Sequence, residues 1–231
     1  MENKAADEAL SPPFTSSLAQ QYANLTNYHA ISHPSLPNYL AMTSGDTYGI
    51  TDDGYHALGT NDLGHQLTAA GISWRAYMEG MSSGCLSSGD KYAVKHNPFA
   101  YYGGACPANV VDAGPLEADL KAKTPRFVWI TPDLCNDTHD CPVATGDEWL
   151  RNKVGLITSS AAWTNGGLLV VTWDEDHSAK IATIVVAPNL TAHTSDTYHD
   201  HYSLLATIED RLGVPRLGNA RGATPFTEVV P

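Results

Sequence analysis

A serine between two prolines, a pair of adjacent carboxylates and an uneven set of histidines are the residues here whose types and spacing suit chemistry. Ser35 stands in His33-Pro34-Ser35-Leu36-Pro37-Asn38-Tyr39-Leu40. The stretch 23–31 before it reads as a strand, with Leu25, Tyr28 and Ile31 apolar. The stretch 36–43 after it carries Leu36, Tyr39, Leu40 and Met42 at helical spacing. A hydroxyl at a strand-to-helix junction lies beside unpaired backbone N–H groups, where an anion can be held. Pro34 stiffens the approach, and Pro37 is tolerated in a first helical turn, where no N–H is needed. Serine is also a common N-cap, so the carboxylates and histidines must decide between the two roles.

The sharpest acidic feature is Val171-Thr172-Trp173-Asp174-Glu175, an apolar strand that runs into two acids. Adjacent carboxylates repel unless they diverge, are solvated or are neutralised by a cation. Glu2 and Asn3 add hard oxygen donors of the kind divalent cations take. Of the ten histidines, His139 lies in Asn136-Asp137-Thr138-His139-Asp140 and His96 in a long irregular segment. His193, His199 and His201 gather after residue 187. A single histidine is usually structural; several on strand-end loops suit general acid catalysis and hydrogen bonding to an anion.

The elements that must position these groups read as follows. Helices are expected near 7–10 and over 15–21, 63–70, 116–122, 149–162 and 204–212, the last closed by Gly213. Strands are expected at 72–78, 126–131, 167–173 and 181–187, besides 23–31. Residues 44–64 form a turn-rich loop, 132–147 a polar loop, and 79–113 an irregular excursion. Strands alternating with helices imply an α/β fold, a doubly wound and mostly parallel sheet with helices on both faces. Ligands then sit beyond the carboxyl ends of the strands, where Ser35, the 137–140 loop and Asp174 all fall. At 231 residues the chain suits one domain, 1–231.

A formal net charge of -12 argues against nucleic-acid or anionic-membrane partners, which need a basic footprint. No run is long enough to span a bilayer. Four cysteines lack zinc-site spacing. Three pairings are formally possible; Cys85–Cys106 and Cys135–Cys141 are the simplest because each closes a local loop. Even cysteines and little lysine suggest an extracytoplasmic protein, secreted or periplasmic, although no signal peptide precedes Met1-Glu2-Asn3-Lys4.

A set of blocks in order, Glu2-Asn3, Asn27-Tyr28-His29-Ala30, His33 to Tyr39, Lys95-His96-Asn97-Pro98-Phe99, Asn136-Asp137-x-His139-Asp140-Cys141, Gly146-Asp147-x-Trp149-Leu150, Trp173-Asp174-Glu175 and His201-Tyr202-Ser203-Leu204-Leu205, closely resembles the phosphoesterase family of bacterial and fungal acid phosphatases and phospholipases C. That family lies within the alkaline phosphatase superfamily. The resemblance implies a doubly wound α/β sandwich and hydrolysis of phosphate mono- or diesters through a phosphoseryl intermediate. It implies that Ser35 is the nucleophile and that Glu2, Asn3, Ser35, Asp174 and Glu175 surround one divalent metal ion. It further implies that His96 and His139 contact the phosphoryl or leaving group, that His201 lines the same pocket and that Asn38 helps bind substrate. In the family the Glu-Asn pair ends the first strand of the sheet, so that strand is expected to be missing from this chain.

Other readings fit less well. A carboxylic-ester hydrolase would present a Gly-x-Ser-x-Gly elbow, which His33-Pro34-Ser35-Leu36-Pro37 is not. A sulfatase motif would place arginine where Tyr39 stands. A non-catalytic relative that only binds phosphate esters is the remaining rival.

Overall fold

Residues 74–78 show how the layers arise. Trp74, Ala76 and Met78 are buried together with Leu36, Leu40, Leu63, Leu67 and Leu205, whereas Tyr77 is buried with Leu116 and Leu120. Successive side chains of a strand face opposite ways, so both faces of this strand are covered by helices.

The structure, a computed structural model, describes residues 1–82 and 84–230. The first part of the chain holds α1 (Ala6–Ala9), α2 (Pro13–Gln21), β1 (Ala23–Leu25), β2 (Tyr28–His29), α3 (Ser35–Ser44), α4 (Leu63–Ala69) and β3 (Trp74–Met78). Then come β4 (Val110–Asp112), α5 (Leu116–Ala122), β5 (Phe127–Thr131), α6 (Val143–Thr158), α7 (Ala161–Thr164) and β6 (Leu169–Thr172). The last are β7 (Thr183–Val186), β8 (His193–Ser195), β9 (His199–Asp200) and α8 (His201–Leu212).

One sheet has the order β4-β3-β5, all parallel. A second has the order β6-β7-β1-β8, with β7 antiparallel to both its neighbours and β1 parallel to β8. The parallel pair β2 and β9 stands apart. The α/β class with helices on both faces is as the sequence implies, with β7 as the antiparallel exception.

Among the described residues no strand joins β5 to β6. An apolar slot of about 950 Å³ lies between them, lined by Trp129, Ile130, Leu169, Val170 and Phe226 among others. Met1 stands at its polar end with a parallel-ladder pattern: its nitrogen donates to the Thr172 carbonyl at 3.2 Å, and Asp174 N donates to the Met1 carbonyl at 3.0 Å.

Several boundaries differ from the sequence reading; helix α8, for one, begins at His201 and not at 204. The stretch 23–31 is two short strands broken at Thr26 and Asn27. The helix expected from 149 begins at Val143, because Pro142 opens a turn inside what reads as polar loop. The 79–113 excursion ends in β4, which pairs Val110 with Ala76; three residues are too few to show a period. Both expected disulfides are formed, with Cα separations of 5.7 Å for Cys85–Cys106 and 4.7 Å for Cys135–Cys141.

Candidate active site

Helix α3 presents Ser35 as its first residue, and the helix is fixed at its far end by Gly45, whose φ of 71° is left-handed. A Cβ there would come within 2.5 Å of the Leu217 carbonyl oxygen, so glycine lets α3 pack against the 217–219 turn. Pro34 occupies the cap position and no side chain caps α3. Ser35 is therefore not an N-cap: its Oγ donates to Glu2 Oε2 at 3.1 Å. One N–H of this helix start, that of Leu36, donates to Asp53 Oδ1 at 3.0 Å.

Glu2 is held on both sides by backbone. Its N–H donates to the Asp137 carbonyl at 2.7 Å, and its carbonyl accepts from Thr138 Oγ1 at 2.7 Å. Trp173 Nε1 donates to the same Thr138 oxygen at 3.2 Å, tying the end of β6 to the 137–138 turn. The Gly146 block serves this turn: a Cβ at Gly146 would come within 3.0 Å of the Asn136 carbonyl oxygen and closer still to the Thr138 methyl. Asp147 in the same block accepts from Thr15 N and Phe14 N, securing the start of α2.

The side chains converge. Tyr39 donates to Glu2 Oε1. Asn3 N donates to Asp174 Oδ1 at 3.1 Å. His96 lies between two carboxylates, with Nε2 3.1 Å from Glu2 Oε2 and Nδ1 3.2 Å from Asp137 Oδ2. Glu2, Ser35, His96, Asp137, Asp174 and Glu175 are all buried. Burial works against the charge on Glu2, but His96, the Met1 amino group and Tyr39 outweigh it and hold the carboxyl down at about 2. Burial also works against the His96 cation, and the carboxylates of Glu2 and Asp137 overcome it, raising the imidazole to about 9. Burial, then the neighbouring Glu2 charge, pushes Asp174 well above the usual carboxylate range.

Two buried polar atoms in this cluster, Asn3 Oδ1 and Asp174 Oδ2, have no partner in the protein, and His96 Nε2 and Asp137 Oδ2 are met only through the ion pairs above. Buried groups left this way are costly. Ligand atoms of Glu2, His96 and Asp137 lie within 4.8 Å of one another. Carboxylate and amide oxygens with one imidazole form a donor set suited to a divalent cation, so the residues present fit the metal that the sequence implies.

The remaining sequence-assigned residues have further partners of their own. Glu175 Oε2 is bonded to His33 Nδ1 at 2.6 Å, which turns it toward the 33–35 approach. His139 is partly exposed, held by Asp140 through Nδ1 at 2.6 Å, with Nε2 3.4 Å from Lys95 Nζ and its ring 5.5 Å from that of His96. His201 is fully buried and sits behind the site instead of lining it. Its nitrogens are taken by Tyr28 OH at 3.0 Å and the Asp174 carbonyl at 2.5 Å, and burial lowers it to about 4, leaving it neutral. Asn38 likewise has its side chain taken up by backbone. Its oxygen accepts from Ile31 N and Ser32 N, and its amide donates to the carbonyls of Ser32 and Pro34, so it shapes the approach to Ser35.

Sequence reasoning gave no role to Asp137, Tyr39, Asp53 or Lys95. Asp137 and Lys95 each stand beside a residue that was singled out. Asp53 lies in a turn-rich loop with nothing local to mark it.

A sequence profile of the phosphoesterase family matches residues 8–179. The chain belongs to the phosphoesterase family. That membership places it among hydrolases of phosphoric esters. It is 33% identical over 230 residues to the phosphatidylinositol-3-phosphatase of Mycobacterium tuberculosis, covering 95% of this chain and 76% of that protein. It is 30% identical over 255 residues to a probable acid phosphatase of Kluyveromyces lactis, covering 100% of this phosphoesterase and 61% of the yeast protein. A solved alkaline phosphatase superfamily protein from Vibrio parahaemolyticus superposes with a TM-score of 0.67 at 12% identity, covering 95% of this chain and 68% of that one, which shows a shared fold. No helix among the described residues is long and apolar enough to cross a membrane.

Proposed function

We propose that this chain hydrolyses phosphate mono- or diesters in a single domain through Ser35 as nucleophile, with one divalent cation at the Glu2 cluster. The observation that carries the reading is the Ser35 hydroxyl bonded to Glu2 inside a buried cluster in which Asn3 Oδ1 and Asp174 Oδ2 lack partners. The cation would be held among Glu2, Asn3, Asp174 and Glu175, against the Ser35 oxygen, with His96 beside it. Asp137 orients His96 through Nδ1, and His33 holds Glu175 through Oε2. When bound, it would lower the pKa of the serine hydroxyl and offset charge on the phosphoryl oxygens.

Glu2 fixes the Ser35 Oγ position. Ser35 gives up its proton to solvent and its oxygen attacks phosphorus. The bond from phosphorus to the alcohol oxygen breaks, and His139, afterwards reprotonated from solvent, supplies the proton that leaves with the alcohol. Water then attacks the phosphoserine, releasing phosphate and restoring the hydroxyl. His201 acts through Asp174, whose backbone it holds, and is a positioning residue. The names of the relatives favour phosphate monoesters as substrates. Two disulfides support an extracytoplasmic location.

Exhaustive chelation should abolish hydrolysis of 4-nitrophenyl phosphate, and adding back divalent cations one at a time should restore it. Isothermal titration should find one site per chain. Full activity in the chelated protein, or cation binding unaltered in Asp174→Asn, would contradict the reading.

A further inference from the structure

Lys95, whose Nζ lies 3.4 Å from His139 Nε2, lines a cavity to which the chemistry above gives no role. It has a volume of about 330 Å³ and is lined by Asp53, Tyr55, Leu86, Lys95 and Tyr101, among others. That size suits a small organic group. Its floor is polar and already paired: Lys95 Nζ lies 2.9 Å from Asp53 Oδ2 and 3.4 Å from His139 Nε2. Asp53 also accepts the Leu36 N–H, so the cavity wall is tied to the helix turn that carries Ser35. The opening is apolar. Tyr55 lies against Tyr101 with ring centroids 5.2 Å apart and planes at 30°. Tyr55 is 49% and Leu86 42% exposed, and both belong to the small set of large apolar side chains left open among the described residues.

We propose that this cavity receives the alcohol side of the ester and selects alcohols that carry an aromatic ring. The inference rests on the reading of Ser35 as nucleophile and His139 as proton donor. The bond that breaks joins phosphorus to the oxygen of that alcohol, and His139 protonates this oxygen, so the departing group begins beside Lys95 and extends into the cavity. A ring gains an offset stack on Tyr55 and apolar contact with Leu86. A polyol would lose water there and find Asp53 and Lys95 already paired with each other. A second anionic group gains little, because the Lys95 charge is matched by Asp53.

The test compares kcat/KM for phenyl phosphate and glycerol 2-phosphate in the cation-loaded wild type, Tyr55→Ala, Leu86→Ser and, as a control distant from the cavity, Tyr198→Ala. The ratio of the two constants in each variant, divided by the wild-type ratio, cancels leaving-group reactivity. It should fall about tenfold in Tyr55→Ala and Leu86→Ser, the scale of one lost aromatic or apolar contact, and stay at one in Tyr198→Ala. Inhibition by phenylphosphonate should weaken in parallel, with inhibition by methylphosphonate unchanged. Ratios unaltered in both cavity variants overturn the inference and leave the serine reading intact. If the wild type cleaves neither ester with any divalent cation, the serine reading fails. Phenylphosphonate binding followed by NMR then decides the cavity alone: line broadening lost in Tyr55→Ala supports it, and no difference from methylphosphonate refutes it.

Discussion

Two glutamates are equally buried in this protein and behave in opposite ways. Glu2 and Glu209 are both 0% exposed. Glu2 is held down at about 2, whereas burial pushes Glu209 up to about 8, only partly offset by the Leu217 N–H and by Arg216. The difference is in what converges on each. Glu2 meets Ser35, Tyr39 and His96, and the amino group of Met1 lies close enough to favour its charge. Glu209 accepts Leu217 N at 2.9 Å, and its Oε2 has no partner. Burial alone therefore does not mark a functional acid. Convergence does: the Glu2 cluster gathers the orphaned oxygens of Asn3 and Asp174 beside the Glu2 carboxylate, where one cation can satisfy them together, and Glu209 has a single orphaned oxygen.

The comparison breaks most visibly at Ser35. Ser35→Ala removes the group that Glu2 orients, and kcat/KM for a phosphate ester should fall by on the order of 10⁴ or more, as for other nucleophiles. The melting temperature should stay within a few degrees, because one small hydroxyl is lost. Steady-state kinetics and a thermal melt on the same preparation check both halves.

Next is the cation. At about 100 times its dissociation constant a bound ion stabilises by about 2.7 kcal/mol, which for a chain of this size raises the melting temperature by roughly 5–10 °C. The rise should shrink strongly in Asp174→Asn, which removes a ligand charge, and remain in Glu209→Gln. Differential scanning calorimetry with and without the ion reads this without any substrate.

A smaller effect separates the two glutamates by pH. The folded-state pKa of Glu209 lies above its unfolded value, so the folded state binds the proton more tightly. Its favourable contribution is complete below about 4.5 and is lost as pH rises from there to about 8. Glu209→Gln should flatten that fall by about 2 kcal/mol, after allowing for relaxation around the charged form. Urea melts of both proteins across this pH range give the measurement. A wild-type stability that rises through the window with no difference from Glu209→Gln would show that Glu209 is not buried as described.

The sequence was legible where apolar runs are long. The strand at 126–131 and the helix at 116–122 carry their own period, and each lies within a residue of where it forms. Short strands such as β2, β4 and β9 are held by partners far along the chain, and no local pattern announces them. In the site, Glu2, Asn3, Ser35, His96 and Asp174 come together as the resemblance implies. Asn38 and His201 belong to the same blocks, yet their side chains turn into the scaffold, because a block fixes the backbone position and not what each side chain bonds. Asp53 and Lys95 pair across 42 residues, a contact that neither composition nor spacing reports.

The serine mechanism is tested most directly by trapping the covalent intermediate. Cation-loaded enzyme turning over a phosphate ester is quenched in acid, digested, and the peptide containing residue 35 is weighed by mass spectrometry. A serine nucleophile gives one added phosphoryl group on Ser35 in the wild type and none in Ser35→Ala. Turnover with that peptide unmodified at every quench time, or hydrolysis persisting at the wild-type rate in Ser35→Ala, would contradict it.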